Sequence, residues 1–267
     1  MAKIEKIVTS MAAAFAISIA VLGTPAGAVA GETSVYIKSG WYNWRETLNG
    51  SSFVKESGLM HGVGAVRKDT FEPVTLRENL ELWGGNLDYD GHDITGTVPL
   101  KSDTSYLGTR EEVALSLPVA VGGGVTVEPF AGLGHKFWIR TRSSEDWNTF
   151  YSKVGLGGEV VARDLRIFAK GGALIPIYTR THVTLSDAGY QDVVTEPRSQ
   201  PSAFVEGGVK AGSFVLSVEY EGMNFGESSR VPTHSLASGQ GAAIVNGFAF
   251  QPKSHSDFVS FKLAYQF

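Results

Sequence analysis

Asp257-Phe-Val-Ser-Phe-Lys-Leu-Ala-Tyr-Gln-Phe267 sets Val259, Phe261, Leu263, Tyr265 and Phe267 at strict period two. Ser260, Lys262, Ala264 and Gln266 fill the alternate positions. Successive side chains of a strand point to opposite faces, so this segment is apolar on one side and mainly polar on the other. Such a strand suits a wall between an apolar phase and a polar interior, and it closes the sequence on an aromatic ring.

At the other end, Lys3 and Lys6 precede an apolar run over 11–23 and the small-residue stretch Thr24-Pro-Ala-Gly-Ala-Val-Ala30. This order predicts a secretory signal peptide over 1–30, cut after Ala30 or, as second choice, after Ala28. The apolar run is shorter than the ~20 residues a membrane-spanning helix needs. Losing Lys3, Glu5 and Lys6 takes the formal net charge from −4 to about −5. That balance argues against a nucleic-acid partner, which calls for a basic face. With no cysteine in the chain, an exported protein must draw its rigidity from hydrogen bonds and packing.

The export signal together with a period-two strand ending in Phe267 resembles the Gram-negative outer-membrane β-barrel superfamily, whose C-terminal strand ends in Phe. The resemblance implies location in the cell outer membrane, with lipid and lipopolysaccharide around the barrel. It also implies recognition of the terminal strand by the barrel assembly machinery. It implies no cofactor.

Residues 31–267 then read as a single domain of about ten strands, at 34–45, 58–68, 74–87, 105–118, 125–141, 150–162, 165–181, 202–211, 214–225 and 257–267. Connections after even strands are short (69–73, 119–124, 163–164 and 212–213). Those after odd strands are long and polar (46–57, 88–104, 142–149, 182–201 and 226–256). Transmembrane barrels have this asymmetry, with short periplasmic turns, longer extracellular loops and an even strand number. Most runs reach the ~9–11 residues needed to cross a bilayer at the usual tilt. Closure alone satisfies every backbone group in hydrocarbon. The expected fold is a closed antiparallel transmembrane β-barrel of about ten strands, eight or twelve being the alternatives, with both termini periplasmic.

Alternation assigns the faces. Val125, Val127, Leu133, Phe137 and Ile139 share one parity, interrupted by His135, while Glu128, Lys136 and Arg140 share the other. Lys or Arg facing lipid at the midplane costs about 2–4 kcal/mol, so the charged parity must point inward. The inward set is Lys38, Arg77, Glu81, Arg110, Glu112, Glu128, Lys136, Arg140, Lys153, Glu159, Arg166, Lys170, Glu206, Glu219 and Lys262. Both signs are interspersed, which suits ion pairs filling a narrow lumen; a selective pore is the competing reading. Trp41, Tyr42, Trp44, Trp83, Phe137, Trp138, Trp147, Phe150, Tyr151 and Tyr178 lie near the long-loop ends and are expected to form a girdle at the membrane boundary.

The chemistry-bearing residues are sparse. Asp88 and Asp90, with His92 and Asp93, open the second long loop, and His182 and Asp187 lie in the fourth. Paired aspartates in loop two and a His/Asp set in loop four of a ten-strand barrel are loosely similar to the omptin outer-membrane proteases. Loop four departs from that family by lacking its Asp-x-His spacing, and Asp90-Gly91 also reads as an ordinary turn. There is no Gly-x-Ser-x-Gly elbow and no His-Glu-x-x-His. Val121-Gly-Gly-Gly124 reads as a turn needing positive φ, and His61, His135, His234 and His255 show no metal-ligand spacing. No catalytic residue, ligand-binding residue or metal ligand is assigned. Loop 226–256 carries an unusually apolar stretch over 239–250, which fits a hairpin, a lumen plug or a ligand contact equally. The leading expectation is a non-enzymatic outer-membrane protein acting structurally or through its long loops. The alternatives are a narrow channel for small polar solutes and an omptin-like protease or lipid-modifying enzyme.

Overall fold

A computed structural model describes residues 31–93, 98–236 and 246–267; the expected signal peptide, 1–30, lies outside them. Ten strands run antiparallel in chain order: β1 (Glu32–Leu48), β2 (Ser51–Phe71), β3 (Val74–His92), β4 (Pro99–Ser116), β5 (Val125–Arg140), β6 (Glu145–Ala162), β7 (Leu165–Val183), β8 (Ser202–Ala211), β9 (Phe214–Gly226) and β10 (Lys253–Gln266). Each pairs with its sequence neighbours. The terminal strand β10 pairs with β9 on one side and β1 on the other, so the sheet closes. The fold is therefore the expected barrel, and its strand number is ten.

Turns at one end are short. Arg163 (φ 57°) and Gly212 (φ 56°) reverse the chain after β6 and β8. Gly122, Gly123 and Gly124 all have positive φ, a run that side-chain-bearing residues would strain. At the opposite end the structure departs from the sequence reading. Residues 46–57, expected as a loop, continue β1 and β2 and leave only Asn49 (φ 51°) and Gly50 (φ 81°) as a two-residue hairpin turn. Segment 88–104 shortens likewise to 93–98, and 142–149 to 141–144. The physical reason is visible on the outer wall. Asn43, Arg45, Lys55, Asp88, Asp90, Lys101 and Asp103 occupy the outward parity there, so the apolar alternation stops while the hydrogen-bond ladder continues.

Two long connections remain at this loop end. Segment 184–201 holds a short 3₁₀ turn (Ser186–Ala188), a strand on β7 (Val193–Thr195) and another on β9 (Arg198–Gln200). The Ser186 N–H donates to Asp192 Oδ1 at 2.8 Å. Slight burial pushes the Asp192 carboxyl up, but this and other hydrogen bonds outweigh it and hold the group below its usual range. Segment 227–252 forms a hairpin of Val231–His234 with Asn246–Ala249; the apolar stretch 239–250 lies partly outside the described residues.

Faces follow the alternation. Ile37, Leu133 and Phe261 are more than 60% exposed on the outer wall, whereas Lys38 is 5% exposed on the inner one. Every charge expected inward lies on the lumen side. The girdle expectation is corrected in part: Tyr42, Trp44, Trp83, Trp138, Trp147 and Tyr151 are buried in one cluster inside the barrel, and Trp41, Phe150 and Tyr178 point out. Closeness to a strand end says nothing about face; parity decides it, and these six sit on the inward parity.

Candidate functional site

Charged, aromatic and hydroxyl groups converge most densely inside the barrel among the described residues, and they are stacked in tiers. At the loop end Arg140, 1% exposed, reaches three carboxylates from three strands. Its Nη1 lies 2.8 Å from Glu46 Oε1 and 2.7 Å from Glu145 Oε2, and its Nη2 lies 2.8 Å from Glu56 Oε1. Trp44 lies under the guanidinium, 4.7 Å from ring centroid to Cζ. The carboxylates have further donors. Trp44 Nε1 donates to Glu46 and Trp147 Nε1 to Glu145, both at 2.8 Å, and Tyr106 bonds to Glu56. Trp138 stacks on Trp147 at 5.2 Å, and Phe225 closes against Trp147 at 5.1 Å.

The middle tier crosses the barrel on Arg110. Its Nη2 bonds Glu81 and its Nη1 bonds Glu221, each at 2.7 Å. Lys38 joins Glu81 at 2.8 Å, Lys136 joins Glu221, and the Tyr36 hydroxyl donates to Glu81 at 2.7 Å. Below it, Glu206 takes Lys170 (2.7 Å) and Lys262, while Glu112 takes Lys153 (3.1 Å) and the Tyr151 hydroxyl (2.7 Å). Buried charges persist only when paired and hydrogen-bonded. Taking one partner from such a pair costs about 3–5 kcal/mol. The turn-end part of the lumen is hollow, a cavity of about 220 Å³.

Asp88 and Asp90 do not face this interior. Leu87 and Tyr89 take the lumen parity of β3, which turns both aspartates to the outer wall, where they are exposed. Asp90 pairs with Lys101 at 3.2 Å, and Asp88 lies in register with Asp103. His182 sits 3.6 Å from Asp146 on the outward parity of β7, and Asp187 is exposed in the 3₁₀ turn. Among the described residues no hydrogen bond or ion pair links the two sets. No cluster of potential metal ligands occurs among the described residues either.

Sequence reasoning missed Glu46, Glu56 and Glu145, the three partners of Arg140. All three fell inside the segments read as loops. One signal was available: Tyr42, Trp44 and Glu46 continue the period-two series of Tyr36 and Lys38 without a break.

No protein-family model and no curated protein matches the sequence. Solved structures do. The outer membrane protease OmpT from Escherichia coli is similar over 91% of this chain and 99% of its own, with a TM-score of 0.52 at 9% identity. The translocator domain of the autotransporter NalP from Neisseria meningitidis covers 97% and 96%, with a TM-score of 0.37 at 14% identity. The toluene transporter TodX from Pseudomonas putida covers 92% of each chain, with a TM-score of 0.34 at 8% identity. At 9% identity the likeness to OmpT is one of scaffold and not of activity. The chain has the fold of the Gram-negative outer-membrane β-barrels.

Proposed function

We propose that the protein is an integral, non-enzymatic outer-membrane barrel whose lumen is plugged and whose work is done at its ends, chiefly through the loops above β7 and β9. The plug carries this reading. Trp44, Trp147 and Phe225 are 0% exposed and pack on one another, and Arg140 with its three carboxylates lies against Trp44. Ions crossing such a tier would have to displace groups whose mutual pairing offsets their own desolvation. The leader at 1–30 would export the chain, and β10 ending in Phe267 would be the segment read by the assembly machinery. The apolar outer band would then sit in lipid, with lipopolysaccharide around its upper rim.

In planar bilayers the wild-type protein is expected to show no stepwise conductance. Truncating Trp44, Trp138 and Trp147 together to alanine should open a leak that is absent in the parent. Regular single-channel steps from the wild type would overturn this reading in favour of the narrow channel. The proteolytic alternative draws no support from the outward-turned Asp88 and Asp90, and peptide-cleavage activity abolished by D88A/D90A would revive it.

A further inference from the structure

The hollow at the turn end is built differently from the tiers above it. Seven Lys or Arg side chains and five Glu line it. Most of the carboxylates are already committed: Glu112 to Lys153, Glu206 to Lys170 and Lys262, and Glu159 to Arg166. Lys68, Arg77 and Lys210 form no salt bridge among the described residues; nor do Glu32 and Glu128, and Glu32 faces Lys68 across the β1–β2 ladder, so the uncommitted groups are three cations against two carboxylates.

Their placement sharpens the imbalance. Lys68 lies directly across the β2–β3 ladder from Arg77, and Lys210 directly across the β7–β8 ladder from Arg166. Like charges in directly opposed positions destabilise a sheet. In a ring of ten, strands two and three lie half a circuit from strands seven and eight. The two cationic pairs therefore confront each other over the cavity. Above them Glu206, Lys262 and Tyr36 close the space. Below it is open: Lys68 is exposed and the Arg166 side chain is 51% exposed. The result is a blind cup with a cationic mouth, at the end where β10 finishes.

We propose that this cup binds a phosphate-type oxyanion, entering from the turn end and bridging Lys68 and Arg77 to Lys210 and Arg166. Arginine forks and lysine ammonium groups are the usual partners of phosphate oxygens. A bound dianion turns both unfavourable cross-strand pairs into parts of a bridged cluster. The site lies beneath the plug, and its occupancy does not depend on whether the plug conducts. The anion is either a free solute or the headgroup of a phospholipid at the rim.

The test uses the full barrel in uncharged detergent at low salt, titrated calorimetrically with inorganic pyrophosphate and with short-chain phosphatidylglycerol. One saturable pyrophosphate site is expected, weakening steeply as salt rises. Lys68→Gln combined with Arg77→Gln should cost at least about tenfold in affinity, about 1.4 kcal/mol. The same variant should melt close to wild type, because the like-charge pair it removes offsets the loss of Lys68 opposite Glu32. Lys55→Gln with Lys101→Gln, on the outer wall, should leave binding unchanged. Displacement of pyrophosphate by the lipid would assign the headgroup, and indifference to it would assign a free anion. Absence of binding at millimolar pyrophosphate, or equal weakening in the outer-wall variant, would overturn the site.

Discussion

Arg140→Met is expected to prevent the barrel from reaching its compact, heat-modifiable form in most molecules. The methionine fills similar volume, so the effect isolates charge. Three carboxylates converge on one guanidinium with 0% of the Arg140 side chain exposed, and the guanidinium supplies their only ion-pair contacts among the described residues. Breaking a buried pair costs about 3–5 kcal/mol. Typical net stabilities are only 5–15 kcal/mol, so this loss is a large fraction of the total. Arg140→Lys should also fail, because one ammonium cannot reach three strands with the fork that Nη1 and Nη2 provide. Glu145→Gln added to Arg140→Met should restore part of the loss, by removing one uncompensated charge from the same network. The shifted and unshifted gel bands, with the urea midpoint in micelles, give the measurement. An unchanged midpoint for Arg140→Met would mean that the tier contributes nothing to stability.

The second large effect tests which wall meets lipid. Phe261 and Lys262 are neighbours in β10, yet Phe261 is 66% exposed outward and the Lys262 ammonium is held by Glu206 inside. Phe261→Lys should cost about 2–4 kcal/mol, the penalty for a lysine near the midplane of a barrel's lipid face. Lys262→Phe should be harmful for the opposite reason, by leaving Glu206 short of a partner and forcing a ring into the packed lumen. A soluble barrel would tolerate Phe261→Lys, which places a charge in water. Equal stability of wild type and Phe261→Lys in lipid vesicles would therefore refute the membrane reading of the outer band.

Period-two alternation carried the fold because both sides of the wall impose it along the apolar band. Ile37 must meet an apolar phase and Lys38 a polar interior, so their order is legible without coordinates. Beyond the apolar band the outer requirement lapses. Arg45 and Thr47 are as acceptable outside as any apolar residue, and β1 is therefore longer than its pattern. The same lapse hid the best-built part of the site. Glu46, Glu56 and Glu145 looked like loop carboxylates because nothing outside marked their strands, although Trp44 and Trp147 beside them are wholly buried. Asp88 and Asp90 attracted attention for the converse reason. Two aspartates beside a histidine carry chemical meaning in sequence, but the i, i+2 spacing that joined them also turned both outward. The vestibule was half legible. Arg77 and Arg166 were in the set assigned inward by parity and Lys68 and Lys210 were not, and the opposition of the two pairs appears only once the ring closes at ten.

The length of the strands has a consequence for what the protein can meet. The 21 residues of β2 extend roughly 70 Å at about 3.3 Å each, or some 50 Å of height at a 45° tilt, against a hydrocarbon thickness of about 30 Å. In the proposed membrane setting about 20 Å of hydrogen-bonded sheet would stand proud of the lipid tails, as a turret where the outer wall turns polar. Loops mounted on it cannot collapse onto the headgroups, and the Asn49-Gly50 tip reaches outward on a stiff mast. On that placement, a large partner approaching from the loop end would meet the rim of the sheet well before the bilayer itself.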